Sequence, residues 1–98
     1  MSLLTEAEIG ERMTSLAGWT REGDAIRAVS KRGSFGAAML YAGAVAYLAE
    51  AANHHPDIDI RYNKVRLTLT THDSGGITLL DLALADVIDR LRPDVREA

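Results

Sequence analysis

All three histidines of the chain fall inside one stretch, NHHPDIDIRYNKVRLTLTTH, which runs from Asn53 to His72. Imidazole is the side chain whose ordinary titration lies nearest neutral pH, so it can both give and take a proton under physiological conditions. His54 and His55 stand side by side just before Pro56, and Glu50 lies four residues ahead of His54. If both lie on one helix, that spacing brings the carboxylate against the His54 ring. A carboxylate there favours the imidazolium and selects the tautomer. The end of a helix, with its unpaired carbonyls, favours a cation for the same electrostatic reason. His72 follows an alternating segment, at the mouth of a loop. Should the helix end and the strand end converge, three imidazoles line one cleft that holds no serine or cysteine nucleophile. That set suits proton transfer, one group acting as acid and another as base.

Each of these residues also has a plainer reading. Histidines are common as solvated helix ends. Asp81 stands at the third helical position after Thr78, where it completes a capping box, and spacing alone makes it a cap before it makes it a catalytic group. Glu50 reads equally as a solvated helix residue, Tyr47 and Tyr62 as packing residues, and Trp19 as core filler beside the first turn. A metal site is the rival use of three histidines. Adjacent histidines do not both turn easily to one ion, helical His pairs four apart are missing and thiolates are absent, so no metal is expected.

The composition narrows the field further. The 98 residues make one domain, residues 1–98, with room for one modest core; 47% are hydrophobic and 26% charged, and the formal net charge is −3. Nothing in that balance draws the chain to nucleic acid. There is no cysteine, which removes disulfides and thiolate catalysis. The N-terminus MSLLTEAEIG lacks a basic segment followed by an apolar one, so a cytoplasmic protein without a signal peptide is expected. The uncharged run from Ser34 to Ala49 falls short of the roughly 20 residues that span a bilayer and is rich in alanine, which points to a buried or interface helix instead of a membrane anchor.

The elements that must position these groups can be read in order. Thr5 and Glu8 fit a capping box, and a helix follows to about Leu16, with Ile9, Met13 and Leu16 inward and Gly18 ending it. WTREGDAIRAVSKR reads as two short strands around a turn at Glu22-Gly23-Asp24. Ser34 caps a long helix that Pro56 limits. Phe35, Met39, Leu40, Tyr47 and Leu48 give this helix bulk, and Ala42, Gly43, Ala46 and Ala49 give it a small-residue surface. One small domain cannot easily cover so apolar a helix, so part should face a sheet and part another subunit. Ile58, Ile60 and Tyr62, then Val65, Leu67 and Leu69, alternate with polar residues as a hairpin turning near Asn63-Lys64. Thr78 and Asp81 open a last helix with Leu80, Leu84, Val87, Ile88 and Leu91 on one stripe, Arg90 and Arg92 near its end and Pro93 beyond. Helix, hairpin, long helix, hairpin, helix is the order of an α+β fold, an antiparallel sheet with helices on one face.

The full pattern is Glu50, His54-His55-Pro56, Tyr62, His72 and Asp81. With NHHPD, YNKV, LTLTTHD, GGITLLD and the upstream LAGWTREGDAI, it resembles the pterin-4a-carbinolamine dehydratases over nearly the whole chain, from Leu4 to Leu91. The resemblance implies a four-stranded antiparallel sheet with three helices packed on one face. It also implies a homodimer or homotetramer that the long helix can join. The implied reaction is dehydration of 4a-hydroxytetrahydropterin to quinonoid dihydropterin and water, as part of tetrahydrobiopterin recycling. The pterin carbinolamine is the substrate, no cofactor is consumed, and an aromatic amino acid hydroxylase is the functional link. Carried over by position, His54 and His72 resemble the acid/base pair, and His55 a group that binds and orients the pterin. Glu50 and Asp81 match the supporting acidic positions of the catalytic set. Asn53 and the segment Thr70, Thr71, His72 and Asp73 line the implied substrate pocket. Many members carry tryptophan two residues after the proline, where this chain has Ile58, which removes one stacking contact and leaves the proton-transfer groups intact.

Two other functions compete. Relatives in animals also act as a dimerisation cofactor for a homeodomain transcription factor, so the fold can serve as an oligomeric binding module. A pure scaffold has no need of the intact histidine set. The third reading is dehydration of a related carbinolamine.

Overall fold

A computed structural model describes residues 2–91. Arg92 and Pro93, expected at the end of the last helix, lie outside the described residues. The elements are α1 (Glu6–Met13), β1 (Trp19–Glu22), β2 (Ala25–Lys31), α2 (Phe35–Ala52), β3 (Asp57–Arg61), β4 (Lys64–Leu69), a 3-10 turn (His72–Ser74) and α3 (Leu79–Asp89). The strands form one antiparallel sheet in the order β1-β2-β4-β3. This is the α-β-β-α-β-β-α arrangement read from the sequence.

Local chemistry sets the element ends. Thr5 and Glu8 make the expected capping box on α1, Ser34 accepts from the Ala37 N–H at the start of α2, and Thr78 and Asp81 make the second box on α3. Arg21 clasps Glu6, and the Thr5 N–H donates to Glu8, so both carboxyls are held below their ordinary range. That contribution is present above the ordinary carboxylate value and fades as pH falls through the lowered ones. α1 stops at Met13, short of the expected Leu16, because the hydroxyls of Thr14 and Ser15 turn back onto the carbonyls of Glu11 and Arg12. Leu16 is nonetheless buried. The second hairpin turns at Tyr62-Asn63, one residue earlier than expected. Lys64 is already paired with Arg61 and Lys31, so Tyr62 takes the left-handed turn position at φ 54°.

Register explains the core. Ile26 faces Leu69, Ala28 faces Leu67 and Ser30 faces Val65, while Ile58 and Ile60 extend the same rows onto β3. These side chains share the helix-facing side of the sheet, where Ile26, Val65, Leu67 and Leu69 are fully buried. α2 meets that side through Ala38, Ala42, Val45 and Ala49, a stripe of mostly small side chains that lets the helix lie close to the strands. The expected small-residue surface is therefore divided. Ala42 and Ala49 face inward, whereas Gly43 and Ala46 are exposed. Of the bulky residues, Leu48 packs against the core, while Phe35, Met39, Leu40 and Tyr47 are turned outward, with Leu40 at 72% and Tyr47 at 75% exposure.

α3 keeps Leu84, Ile88 and Leu91 of its expected stripe against the core but is rotated within it. Asp81, Leu82 and Ala85 are buried as well, while Leu80 is half-buried and Val87 exposed. The cap decides this rotation. Asp81 must reach back to the Thr78 N–H, and the residues three, four and seven positions later then share its inward face. Trp19 ties the far end of α3 to β1 by donating from Nε1 to Asp89 at 2.9 Å.

Candidate active site

The site begins with the end of α2. Asn53 adopts the left-handed conformation, φ 51° and ψ 42°. The Asn53 N–H donates to the Glu50 carbonyl and the His54 N–H to the Ala49 carbonyl, both at 3.1 Å. This pair of bonds is a Schellman closure, which ends a helix by reversing the backbone. The helix thus ends at Ala52, by its own cap at Asn53 and not by Pro56.

That reversal corrects the expected pairing of Glu50 with His54. His54 lies outside the helix, so the four-residue spacing no longer brings the two side chains together. Glu50 Oε1 lies 2.6 Å from Nε2 of His55 instead, and that pair is exposed. His54 turns inward, with Nε2 2.6 Å from Asp81 Oδ1. The His54 side chain is 11% exposed and that of Asp81 is not exposed at all.

Asp81 makes its cap and meets His54 at once. Its Oδ2 accepts from the Thr78 N–H at 2.9 Å, which completes the cap, and from the Thr71 hydroxyl at 2.8 Å. Its Oδ1 is left to His54. A cap that buries one carboxylate oxygen presents the other to the imidazole.

His72 comes from the opposite side. It opens the 3-10 turn after β4 and is exposed. The loop that carries it is closed at its base, where Thr71 and Gly76 pair as an antiparallel bridge and Leu4 donates to the Ile77 carbonyl. A side chain at Gly76 would come within 3.1 Å of Leu3, so glycine lets the N-terminal segment cross there.

Asn53, His54, His55, Thr70, Thr71, His72, Asp73 and Leu80 line a single cleft of about 310 Å³. Three imidazoles thus border one open cavity. Asp81 lies behind His54 and Glu50 beside His55, neither of them in the wall. Leu80 was assigned to the core stripe in the sequence and instead supplies the cleft's apolar wall. Its place at the start of α3, beside the cap, was the available signal. Ile58 lies on β3 opposite Leu67 and is not in the wall. Another hollow, about 390 Å³ and bounded by Arg12, Leu16, Leu79, Leu82 and Asp86, is larger but gathers no imidazole. Among the described residues, no three histidine, aspartate or glutamate side chains gather as metal ligands.

The backbone reversal at Asn53 can be tested by itself. Asn53→Ala should cost about 1 kcal/mol in a denaturant titration, since a Cβ without a polar group is disfavoured in the left-handed region. Asn53→Gly should match or exceed the wild type, because glycine is the preferred residue at this cap. Equal stability of both variants would contradict the Schellman closure.

An α+β sheet-and-helix layer whose cleft gathers three imidazoles, one of them backed by a buried carboxylate, has the makings of a proton-transfer site. The comparisons specify the kind. A family model described as Pterin 4 alpha carbinolamine dehydratase matches residues 2–91. A protein of Roseiflexus sp. (strain RS-1), provisionally named a pterin-4-alpha-carbinolamine dehydratase, is 54% identical over 88 residues, covering 90% of this chain and 95% of its own. A relative from Chloroflexus aurantiacus (strain ATCC 29366 / DSM 635 / J-10-fl), provisionally named in the same way, is 52% identical over 91 residues, covering 93% and 98%. The crystal structure of a transcriptional coactivator/pterin dehydratase from Brucella melitensis superposes with a TM-score of 0.83 at 35% identity, over 88% of this chain and 94% of that one. A pterin dehydratase-like protein described as a RuBisCO assembly factor in the alpha-carboxysome shares the fold at a TM-score of 0.58 and 22% identity, over 72% and 82% of the two chains. The chain belongs to the pterin-4a-carbinolamine dehydratase family.

Proposed function

We propose that the cleft dehydrates a 4a-hydroxytetrahydropterin to the quinonoid dihydropterin and water by histidine acid/base catalysis. The observation that carries this reading is the presence of His54, His55 and His72 on one cleft, with His54 backed by the buried Asp81. The reaction needs a proton on the departing 4a-oxygen and removal of the proton on N5. The N5–H bond breaks, its electron pair forms the C4a–N5 double bond, and the C4a–O bond breaks to release water. One imidazole takes the N5 proton and the other protonates the oxygen, each contributing about 10²–10⁴-fold. Each turnover leaves the base with one proton more and the acid with one fewer, and the cycle closes when the first releases its proton to solvent and the second takes one up, through the open cleft that both border. His54 is engaged by Asp81 through Nε2, so Nδ1 is the nitrogen left for chemistry. His55, steadied by Glu50, orients the flat ring, with polar groups of Asn53, Thr70, His72 and Asp73 and the backbone of Thr71 around it. A stopped-flow assay with synthetic 4a-hydroxytetrahydropterin tests the proposal. Catalysis above the spontaneous rate is expected, and none at all would refute it.

A second reading is favoured by the outward face of α2. Phe35, Met39, Leu40 and Tyr47 expose large apolar surface along one helix. α2 also has the length and composition of a membrane-crossing helix, with a mean hydropathy of 1.3, but its inner stripe is committed to the sheet. We propose that a second copy of this chain covers the outer face, giving the homodimer or homotetramer that the family resemblance implies. An oligomer that binds partners without turning over pterin would keep this face and dispense with the cleft histidines. Leu40→Glu should shift sedimentation to smaller species at micromolar concentration, while a wild type already monomeric there would rule the interface out.

A further inference from the structure

We infer that Thr71 is a positioning residue for the proposed dehydration, joining His54 and His72 through one side chain and one stretch of backbone. The inference rests on the acid/base reading above.

Thr71 is nearly buried, and its hydroxyl turns away from solvent into a closed polar group. Its Oγ1 lies 2.8 Å from Asp81 Oδ2 and 2.8 Å from Thr78 Oγ1. Thr78 and Asp81 are both fully buried. The order of protons in this group follows from counting donors. The Thr78 N–H can only donate, and it takes one lone pair of Asp81 Oδ2. The Leu80 N–H likewise donates to Thr78 Oγ1. A carboxylate Oδ2 has no proton to give, so the Thr71 hydroxyl must donate to it. The Thr78 hydroxyl is then free to donate to Thr71 Oγ1. With two donors fixing Oδ2, the carboxylate plane is set and Oδ1 is held toward His54 Nε2. The preferred tautomer of neutral His54 is therefore Nε2–H, and it is Thr71 that completes the clamp.

The backbone of the same residue sets the other histidine. The Thr71 N–H donates to the Gly76 carbonyl at 2.9 Å, and its own carbonyl accepts from Ser74 at 3.0 Å and Gly75 at 2.9 Å. These bonds close the loop whose first residue is His72. Moving Thr71 therefore disturbs both proton-transfer groups, whereas removing only its hydroxyl isolates the link through Asp81 to His54.

Thr71→Val keeps the branched shape and deletes the donor, and Thr71→Ser keeps the donor. The valine variant should lower kcat by up to about 10²-fold, the usual cost of a small misplacement in a reacting group. KM should change little, and the serine variant should recover most of the rate. The second readout is independent of turnover. Nitrogen-15 NMR of labelled histidine should show His54 mainly as Nε2–H in the wild type and the serine variant, with a clear gain of Nδ1–H in the valine variant. A dehydratase failure with this tautomer pattern intact would count against the proposed function and leave the clamp standing. A folded valine variant with unchanged kcat and tautomer would overturn the inference. So would a wild-type His54 protonated at Nδ1, even if the valine variant failed to fold.

Discussion

His54→Ala and His72→Ala should each lower kcat by about 10²–10⁴-fold, the ordinary worth of one positioned acid or base. Both side chains border the same cleft, yet their surroundings differ. His54 is nearly buried against a carboxylate, while His72 is exposed at a loop mouth. The His54 variant should also lose some stability, because it leaves Asp81 Oδ1 buried without its partner, at a cost of roughly 1–3 kcal/mol. The His72 variant should melt with the wild type. The double variant should lose less than the product of the two single losses, since groups that act on one proton-transfer event are not additive. His55→Ala should mainly raise KM, because in the proposed reading it holds the ring and moves no proton. Stopped-flow turnover with each variant decides these points. Wild-type rates in both His54→Ala and His72→Ala would remove the chemistry from this cleft.

Asp81→Asn should cost little in folding and much in turnover. The amide oxygen can take the place of Oδ2 and still accept from the Thr78 N–H and the Thr71 hydroxyl, so the cap survives. The amide nitrogen then occupies the place of Oδ1, facing His54 Nε2. A donor now meets a nitrogen that had been presented to an acceptor, so the favoured tautomer of His54 is reversed and its proton moves to Nδ1. A wrong tautomer with intact geometry is expensive in acid/base catalysis, and a loss of about 10²–10⁴-fold in kcat is expected. The melting temperature should stay within a few degrees of wild type. A variant that melts early but turns over normally per folded molecule would make Asp81 a cap and nothing more.

These expectations separate what is local from what is not. The caps at Thr5, Ser34 and Thr78 were legible because a cap is a contract between residues three positions apart. The hairpins were legible because alternation states which face is buried. The histidine, carboxylate and Asn53 positions were legible through the family resemblance, which fixes rare residues at set spacings along nearly the whole chain. Helix spacing, however, paired Glu50 with His54. That inference held only as long as the helix continued, and one left-handed residue, Asn53, ends it. No periodicity announces such a reversal, because asparagine is compatible with either conformation.

The rotation of α3 was hidden for a related reason. Its apolar residues are numerous enough to define more than one stripe, and Val87 fits the pattern as well as Ala85 does. The buried cap chose between them by turning Asp81 inward. By itself, then, the sequence determined the elements and their order, since hydrogen bonds and alternation act within a few residues, and the family resemblance marked the candidate site residues. Only the tertiary structure decided which carboxylate serves which imidazole. That choice depends on the end of α2 meeting the start of α3, a contact between His54 and Asp81 that is made by packing across 27 residues of chain and is written in neither segment alone.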